Sequence, residues 1–319
     1  MRQKNHMMGR YVVLLTAFVS LLTVSVPALA QTRAADPLPG LPVPAVQPSP
    51  VELPDVMPSL RRSEPAPAGE TSGDPRADGA QIYHGYGFDT CVAPSYDTMS
   101  AWSSSPFRAI GVYIGGRGRA CPNQPNLTAD WVRDVTDIGW KLLPLYVGSQ
   151  APCVDSARKQ RYALDPDGNA RARGIAEGRD AVAQAEQLGM AEHSAVYLDL
   201  EPYDVSNTAC ARTTLDFVQG WSHAVRDLGY LPGFYSNAAS GITHMENSRE
   251  AGESDLPGAV WFARWHTGPS VDDEPSLASG AWEPHRRIHQ YAGDVSETYG
   301  GRRLQIDKDL VDAPVAVIG

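Results

Sequence analysis

The chain has 319 residues, 42% of them hydrophobic, and a formal net charge of −10. This acidic balance argues against a nucleic acid or another anionic polymer held by bulk electrostatics. The four cysteines form an even set, which predicts two disulfides in an oxidising compartment. They are Cys91, Cys121, Cys153 and Cys210. No CxxC pair is present, so we expect neither a metal nor another cofactor.

The N-terminus has the three parts of a secretory signal peptide. Basic residues lie within positions 1–10, an apolar run follows over 11–26, and a small-x-small cleavage site lies at 28–30. The apolar run is shorter than a membrane-spanning helix, and no stop-transfer pattern follows it. No twin arginine precedes it, which favours the general secretion route. We therefore predict a signal peptide over residues 1–30 and an exported protein without an integral membrane span.

Residues 31–80 are rich in Pro, Ala, Ser and acidic residues and contain almost no aromatics. Repeated X-Pro pairs cannot form helices or sheet ladders. Such a composition buries too little apolar surface to offset its ordering entropy. We expect a disordered, extended linker that holds residues 81–319, the predicted folded domain, away from a membrane or through a cell wall.

The folded part alternates strand and helix patterns. The predicted helices lie at 127–138, 170–188 and 213–228, and a glycine follows each of them. The predicted strands are Gly85–Thr90, Ala109–Ile114, Lys141–Val147, Ala195–Glu201, Gly233–Asn237, Val260–Trp265, Arg287–Tyr291 and Leu304–Leu310.

Eight strands alternating with helices in this length predict an α/β fold, a (β/α)8 TIM barrel. A doubly wound open sheet is the main alternative, but it normally has a glycine-rich turn after its first strand. The first strand here ends in Gly87-Phe88-Asp89-Thr90-Cys91, which has no such turn. The glycines of 115–118 follow the second strand and are not a dinucleotide fingerprint. We interpret them as a loop at the barrel mouth.

A strand that ends in two carboxylates is the strongest functional signal. Asp199 and Glu201 are two residues apart, so on a strand their side chains point to the same face. Glycosidases use such pairs, in which one carboxyl donates a proton and the other stays charged. An acidic pair at a solvated strand end is the alternative. The spacing does not choose between the retaining and inverting mechanisms.

Other polar and aromatic residues also lie at or near predicted strand ends, where barrels carry their chemistry. Acids transfer protons, aromatics stack on sugar rings and amides bind hydroxyls, although Tyr and Trp can also simply fill the barrel. The candidates are Asp89, Tyr113, Tyr146, Tyr235, Asn237, Trp265, Gln290, Tyr291 and Asp307.

Six segments resemble the actinobacterial secreted glycoside-hydrolase-like domain, a TIM-barrel family. They are GFDTCVAPS (87–95), YIGG (113–116), LTADW (127–131), YVGSQ (146–150), YLDLE (197–201) and GYLPGFYS (229–236). The order is also distantly similar to the family-25 lysozymes, or Chalaropsis-type muramidases. That resemblance assigns site positions to Asp89, Asp199, Glu201, Gln290-Tyr291 and Asp307.

These observations predict a secreted, lysozyme-like hydrolase of cell-wall peptidoglycan or another extracellular glycan. Glu201 would be the general acid and Asp199 its partner, with Asp89 and Asp307 setting the protonation of the cluster. Asp199 would stabilise the transition state or orient an attacking N-acetyl group. The alternative is a non-catalytic glycan-binding barrel associated with the cell wall. An amidase or peptidase would need a nucleophile or metal constellation. We expect a monomer.

The cysteines follow the first four strands in order, so their loops should all emerge at the mouth. Neighbouring strands bring neighbouring loops together. This favours Cys91–Cys121 and Cys153–Cys210 among the three possible pairings.

Overall fold

The structure is a computed structural model and describes residues 70–319. The predicted signal peptide and most of the predicted linker lie outside this range. The chain already packs on the folded domain before residue 81, because the carbonyls of Thr71 and Gly73 accept hydrogen bonds from Trp282 N and Arg286 Nε. No helix among the described residues is long and apolar enough to span a bilayer.

Eight strands form a closed barrel in sequence order, which confirms the predicted fold. The strands are β1 (Ile82–Asp89), β2 (Ala109–Gly115), β3 (Lys141–Tyr146), β4 (Ala195–Asp199), β5 (Leu231–Asn237), β6 (Ala259–Ala263), β7 (Arg287–Tyr299) and β8 (Arg302–Pro314). The helices are α1 (Tyr96–Trp102), α2 (Ala129–Asp137), α3 (Ala170–Gln187), α4 (Thr208–Asp227) and α5 (Thr243–Glu250).

The end of the barrel departs from strict strand–helix alternation. β6 and β7 are joined without an α-helix, and β7 and β8 form a long hairpin that turns at Gly300 and Gly301. β8 consequently runs antiparallel to both β7 and β1. The β8 strand therefore runs from the mouth toward the opposite end of the barrel. Asp307, in the middle of β8, pairs with Asp89 at the C-terminal end of β1.

Capping residues explain where the three predicted helices begin and end. The side chains of Thr128, Asn169 and Asn207 accept hydrogen bonds from the first turns of α2, α3 and α4. Such caps satisfy backbone N–H groups that have no partner within the helix. Gly139, Gly189 and Gly229 follow the three helices with positive φ, as glycine does at helix ends. The α4 helix begins earlier than residue 213 because Asn207 is its cap.

Side chains that alternate along each strand build two apolar layers. On β4, Ala195 and Tyr197 point into the barrel, whereas Val196 and Leu198 pack against the helices. The inner layer includes Trp261, whose indole contacts Tyr197 and Tyr235 edge to face. This alternation determines which strand-end side chains reach the interior at the mouth.

Helices α3 and α4 approach each other through glycines. A Cβ at Gly174 would overlap the carbonyl oxygen of Phe217, and one at Gly220 would overlap that of Arg171. The two helix backbones are therefore in direct contact, and neither glycine leaves room for a side chain.

Replacing Gly174 by Val should lower the free energy of unfolding by about 1–3 kcal/mol, because the added side chain forces the two helices apart. Ala176→Val on the exposed face of the same helix is the matched control. Urea titration followed by circular dichroism measures both variants. Equal losses in the two would show that the contact at Gly174 is not tight.

Candidate functional site

A cavity of about 540 Å³ opens at the mouth of the barrel. Its lining includes five carboxylates, from Asp89, Asp199, Glu201, Asp294 and Asp307, and the phenol of Tyr113. Loops that follow β2 and β3 form one of its walls. The four acids predicted from the sequence are thus brought together around one cavity, and we treat this cavity as the candidate active site.

Asp89 is buried at the end of β1 and is held by two hydrogen bonds. Gln290 Nε2 donates to Oδ2 at 2.7 Å, and the Tyr113 hydroxyl donates to Oδ1 at 3.2 Å. Gly111, its register partner on β2, leaves room for it, because a Cβ there would lie 2.6 Å from the Asp89 Cβ. Burial and the neighbouring Asp307 raise the pKa of Asp89 to about 8.

Asp199 and Glu201 have different environments. Asp199 is 4% exposed, and its Oδ1 is a buried oxygen without a hydrogen-bond partner. Burial first, and then the charge of Glu201, raise the pKa of Asp199 to about 7, against the opposing charge of Lys159. β4 ends at Asp199, so Glu201 lies just beyond the strand. The Glu201 side chain is 34% exposed and forms an ion pair of 3.2 Å with Lys159.

Gln150 fixes the backbone between these two acids. Its Nε2 donates to the Asp199 carbonyl and its Oε1 accepts from Glu201 N, both at 2.9 Å. The amide is fully buried after β3. Gln150 therefore supplies backbone hydrogen bonds where the pairing of β4 with β3 ends. These bonds fix the backbone that carries the two carboxylates.

Asp307 and Asp309 both point inward from β8, two residues apart. Asp307 Oδ1 accepts from Asp294 N at 2.6 Å, and burial raises the pKa of Asp307. Asp309 lies deeper and is completely buried. It accepts from Trp261 Nε1 at 2.9 Å, and its other oxygen has no partner among residues 70–319. Burial, with Asp89 nearby, raises the pKa of Asp309 well above its usual range.

Gln290 connects Asp89 to the aromatic side of the mouth. Its Oε1 accepts from the Tyr235 hydroxyl at 3.1 Å and from Trp265 Nε1 at 2.9 Å. Tyr235 is inside the barrel, whereas Trp265 is 41% exposed. An exposed indole fixed at one edge beside a polar cavity can stack on a sugar ring.

Two of the predicted binding residues lie elsewhere, which corrects their assignment, and a third has a local structural role. The side chains of Tyr146 and Tyr291 point outward from the barrel. The Tyr146 hydroxyl donates to Asp180 of α3 at 2.7 Å, and Tyr291 packs against the ring of Tyr86. Asn237 accepts from Ala239 N at 2.9 Å and so caps the π-helical turn that follows β5.

Three functional candidates were not predicted from the sequence. Asp309 had a usable signal, because it lies two residues after Asp307 in an apolar strand. Gln150 ends the YVGSQ segment that carries the family resemblance, but Lys159 had no signal, because it lies in an irregular loop whose path depends on the folded barrel.

The cysteines form the disulfides Cys91–Cys121 and Cys153–Cys210, the pairing that neighbouring loops favour. Cys91 and Cys121 line the candidate cavity directly. The second bridge ties the loop after β3 to the start of α4. Both bridges thus brace loops with little regular structure around the mouth.

The Cys153→Ser/Cys210→Ser variant should lose about 2–4 kcal/mol of stability, because the bridge closes a loop of 57 residues. We also expect faster amide hydrogen exchange in the loop after β3 than in the barrel strands. Hydrogen-exchange mass spectrometry measures this difference. An unchanged exchange rate in that loop would contradict a bracing role.

Among residues 70–319, no group of three or more His, Cys, Asp or Glu side chains is placed to hold a metal ion. His285 and His289 stand four residues apart, but they have separate partners. His285 Nδ1 lies 2.8 Å from Asp312, and His289 Nε2 lies 2.9 Å from the carbonyl of Arg264.

The barrel and its carboxylate-lined mouth define a glycoside hydrolase-like protein. More particularly, the chain belongs to the family of the Rv2525c-like, glycoside hydrolase-like domain, whose model matches residues 100–311. No curated protein matches the chain.

Several solved structures are similar to this chain at low sequence identity. The Mycobacterium tuberculosis Tat-secreted protein Rv2525c, in complex with L-tartrate, is 14% identical over 72% of this chain and 96% of its own, with a TM-score of 0.47. The Clostridium perfringens spore cortex lytic enzyme SleM is 12% identical over 72% of this chain and 67% of its own, at 0.46. The Streptococcus pneumoniae autolysin LytC is 11% identical over 74% and 47%, at 0.45.

Proposed function

We propose that this protein is an exported glycoside hydrolase that cleaves a cell-wall glycan, with peptidoglycan as the first substrate to test. The observation that carries this proposal is the pair formed by Asp199 and Glu201. One carboxyl is buried with a pKa raised to about 7, and the other faces the cavity beside an ammonium group. Two carboxyls in different environments divide the roles of proton donor and charged partner.

In this proposal the pair shares one proton near neutral pH, which rests on Asp199, the carboxyl with the raised pKa, and passes to Glu201 when the glycan binds. Glu201 delivers it to the glycosidic oxygen, because Glu201 is the more accessible of the two carboxyls. The bond from the anomeric carbon to that oxygen breaks, and water supplies the hydroxyl group that replaces it. The second proton of the water returns to the pair. The negative charge left on the pair stabilises the positively charged, oxocarbenium-like transition state.

The remaining acids support this cycle. Asp89 keeps its proton at neutral pH, since its pKa is about 8, and it therefore adds little negative charge beside Asp199. Gln290 holds Asp89 and links it to Trp265, which we propose as a platform for a sugar ring. Asp307 lies opposite Asp89 and completes the carboxylate cluster.

Export agrees with the two disulfides, which are typical of oxidising compartments. The secretory route and the position of the signal cleavage site remain part of the proposal. N-terminal sequencing of the protein from the culture medium or cell wall tests both.

The activity test uses the exported chain with purified, dye-labelled peptidoglycan, and it measures dye release and co-sedimentation side by side. Release that requires Glu201 supports the hydrolase. Co-sedimentation without release would replace it with a glycan-binding barrel. Absence of both would overturn peptidoglycan as the ligand.

A further inference from the structure

One side of the candidate cavity carries four cationic side chains. Arg119 comes from the loop after β2, and Arg158, Lys159 and Arg161 come from the loop after β3. We call these four residues the basic wall. The carboxylates come from the ends of β1 and β4 and from β7 and β8, so the arginines and the carboxylates come from different elements of the barrel.

The arginines of the basic wall form no salt bridge among residues 70–319, although Asp180 acts on Arg119 from a longer distance. Lys159 pairs with Glu201, but neither Arg119, Arg158 nor Arg161 forms an ion pair in this part of the chain. Nearby Arg117 shows the usual situation, since it lies 3.8 Å from the carboxylate of Glu177. The chain as a whole has 37 acidic and 27 basic residues. Acidic residues outnumber basic ones in this chain, so a shortage of acids does not explain why these arginines lack salt-bridge partners.

Two of these arginines are already positioned. Arg119 donates to the carbonyls of Gly116 and Tyr113 at 3.0 and 3.2 Å. The guanidinium of Arg161 lies 4.8 Å from the centre of the Tyr162 ring, and this ring also lines the cavity. Stacking on an aromatic ring restricts a guanidinium while leaving its N–H groups able to bind an anion.

We propose that the basic wall binds an acidic group, a carboxylate or a phosphate, carried by the glycan beside the linkage that is cleaved. This inference rests on the proposed function, because it assigns a substrate class to the same cavity. Guanidinium groups bind both kinds of anion through paired N–H donors. The mutual repulsion of neighbouring cations is relieved when such an anion binds.

The test compares the exported wild-type chain with the variant Arg158→Gln/Arg161→Gln. The control is Arg173→Gln/Arg179→Gln, which removes the same charge from exposed positions on α3. Arg119 is left unchanged because its hydrogen bonds brace the loop. The probes are native peptidoglycan, peptidoglycan with its carboxylates amidated, peptidoglycan freed of phosphate-containing polymers, and neutral chito-oligosaccharides.

We expect the wall variant to bind native peptidoglycan about tenfold more weakly, with a shallower salt dependence than the wild type or the control. Its binding to neutral chito-oligosaccharides should not change. Weaker wild-type binding after amidation would identify a carboxylate, and weaker binding after removal of phosphate polymers would identify a phosphate.

Equal binding of all four probes by the wild-type chain would overturn the inference, as would equal losses in the wall and control variants or no binding at all. The two proposals can fail separately. Arginine-dependent binding of an acidic glycan without cleavage would contradict the hydrolase proposal and support anion binding by the basic wall. Cleavage that does not depend on acidic groups would support the hydrolase proposal and contradict anion binding by the basic wall.

Discussion

Replacing Glu201 by Gln should lower the rate of glycan cleavage by ~10²–10⁴ while glycan binding persists. Glutamine keeps the shape of the side chain but cannot donate the titratable proton, and it also ends the ion pair with Lys159. Dye release under single-turnover conditions measures the rate, and co-sedimentation measures binding. Glu186→Gln on the exposed side of α3 is the matched control. Full activity in Glu201→Gln would exclude Glu201 as the donor.

Asp199→Asn should also lower turnover. The losses in the double variant should not add, because the two carboxyls act as one unit that shares a proton. Gln150 fixes the backbone of both acids, so neither single change is expected to displace the other residue. Additive losses would indicate two independent roles.

The second large effect concerns stability against pH. Burial raises the pKa of Asp199 to about 7 and that of Asp89 to about 8, and it raises the pKa of Asp309 well above its usual range. These carboxyls hold protons more tightly in the folded chain than in the unfolded chain. The contribution of Asp199 and Asp89 to stability therefore falls as the pH rises from about 4 to about 8. At about 1.4 kcal/mol per pKa unit, the loss for Asp199 alone is on the order of a few kcal/mol.

Asp199→Asn should raise the melting temperature at pH 8.5 and leave it nearly unchanged at pH 5. Asparagine resembles the protonated acid and cannot ionise. Half-buried His244 and buried His289 have lowered pKa values. Their contributions to stability change in the opposite direction below about pH 6.5, so variants are compared with wild type at each pH. Identical melting curves for variant and wild type at pH 8.5 would contradict a destabilising charge on buried Asp199.

The strands and three of the helices could be predicted because their signals are local. Apolar runs, capping residues and glycines after helix ends are all visible in the sequence. The acid pair at 199 and 201 was visible for the same reason. The direction of β8 was not predicted, because a hairpin and a crossover can both follow an apolar run. That direction nevertheless places Asp307 at the mouth.

The wrong assignments of binding residues arose because side chains alternate between the inside and the outside of the barrel along each strand. Tyr146 and Tyr291 end or continue apolar runs, and position in the run alone does not say which side of the barrel they face. Counting in steps of two from Tyr197 leads to Asp199, and counting from Gln290 excludes Tyr291. A short irregular segment breaks such counting, as between Tyr113 and Gly115, where the register of β2 against β3 shifts.

The hairpin of β7 and β8 is propped against α1. Gly300 lies against the backbone of Ala101, and the ring of Tyr299 packs edge to face on Trp102. On the other side of the mouth, disulfides cross-link the loops. A cleft fixed on both sides has little conformational entropy left to lose when a glycan chain enters it. If the protein is the proposed hydrolase, binding energy is then available to align the scissile bond with Glu201, and selectivity comes from contacts that exist before the ligand arrives.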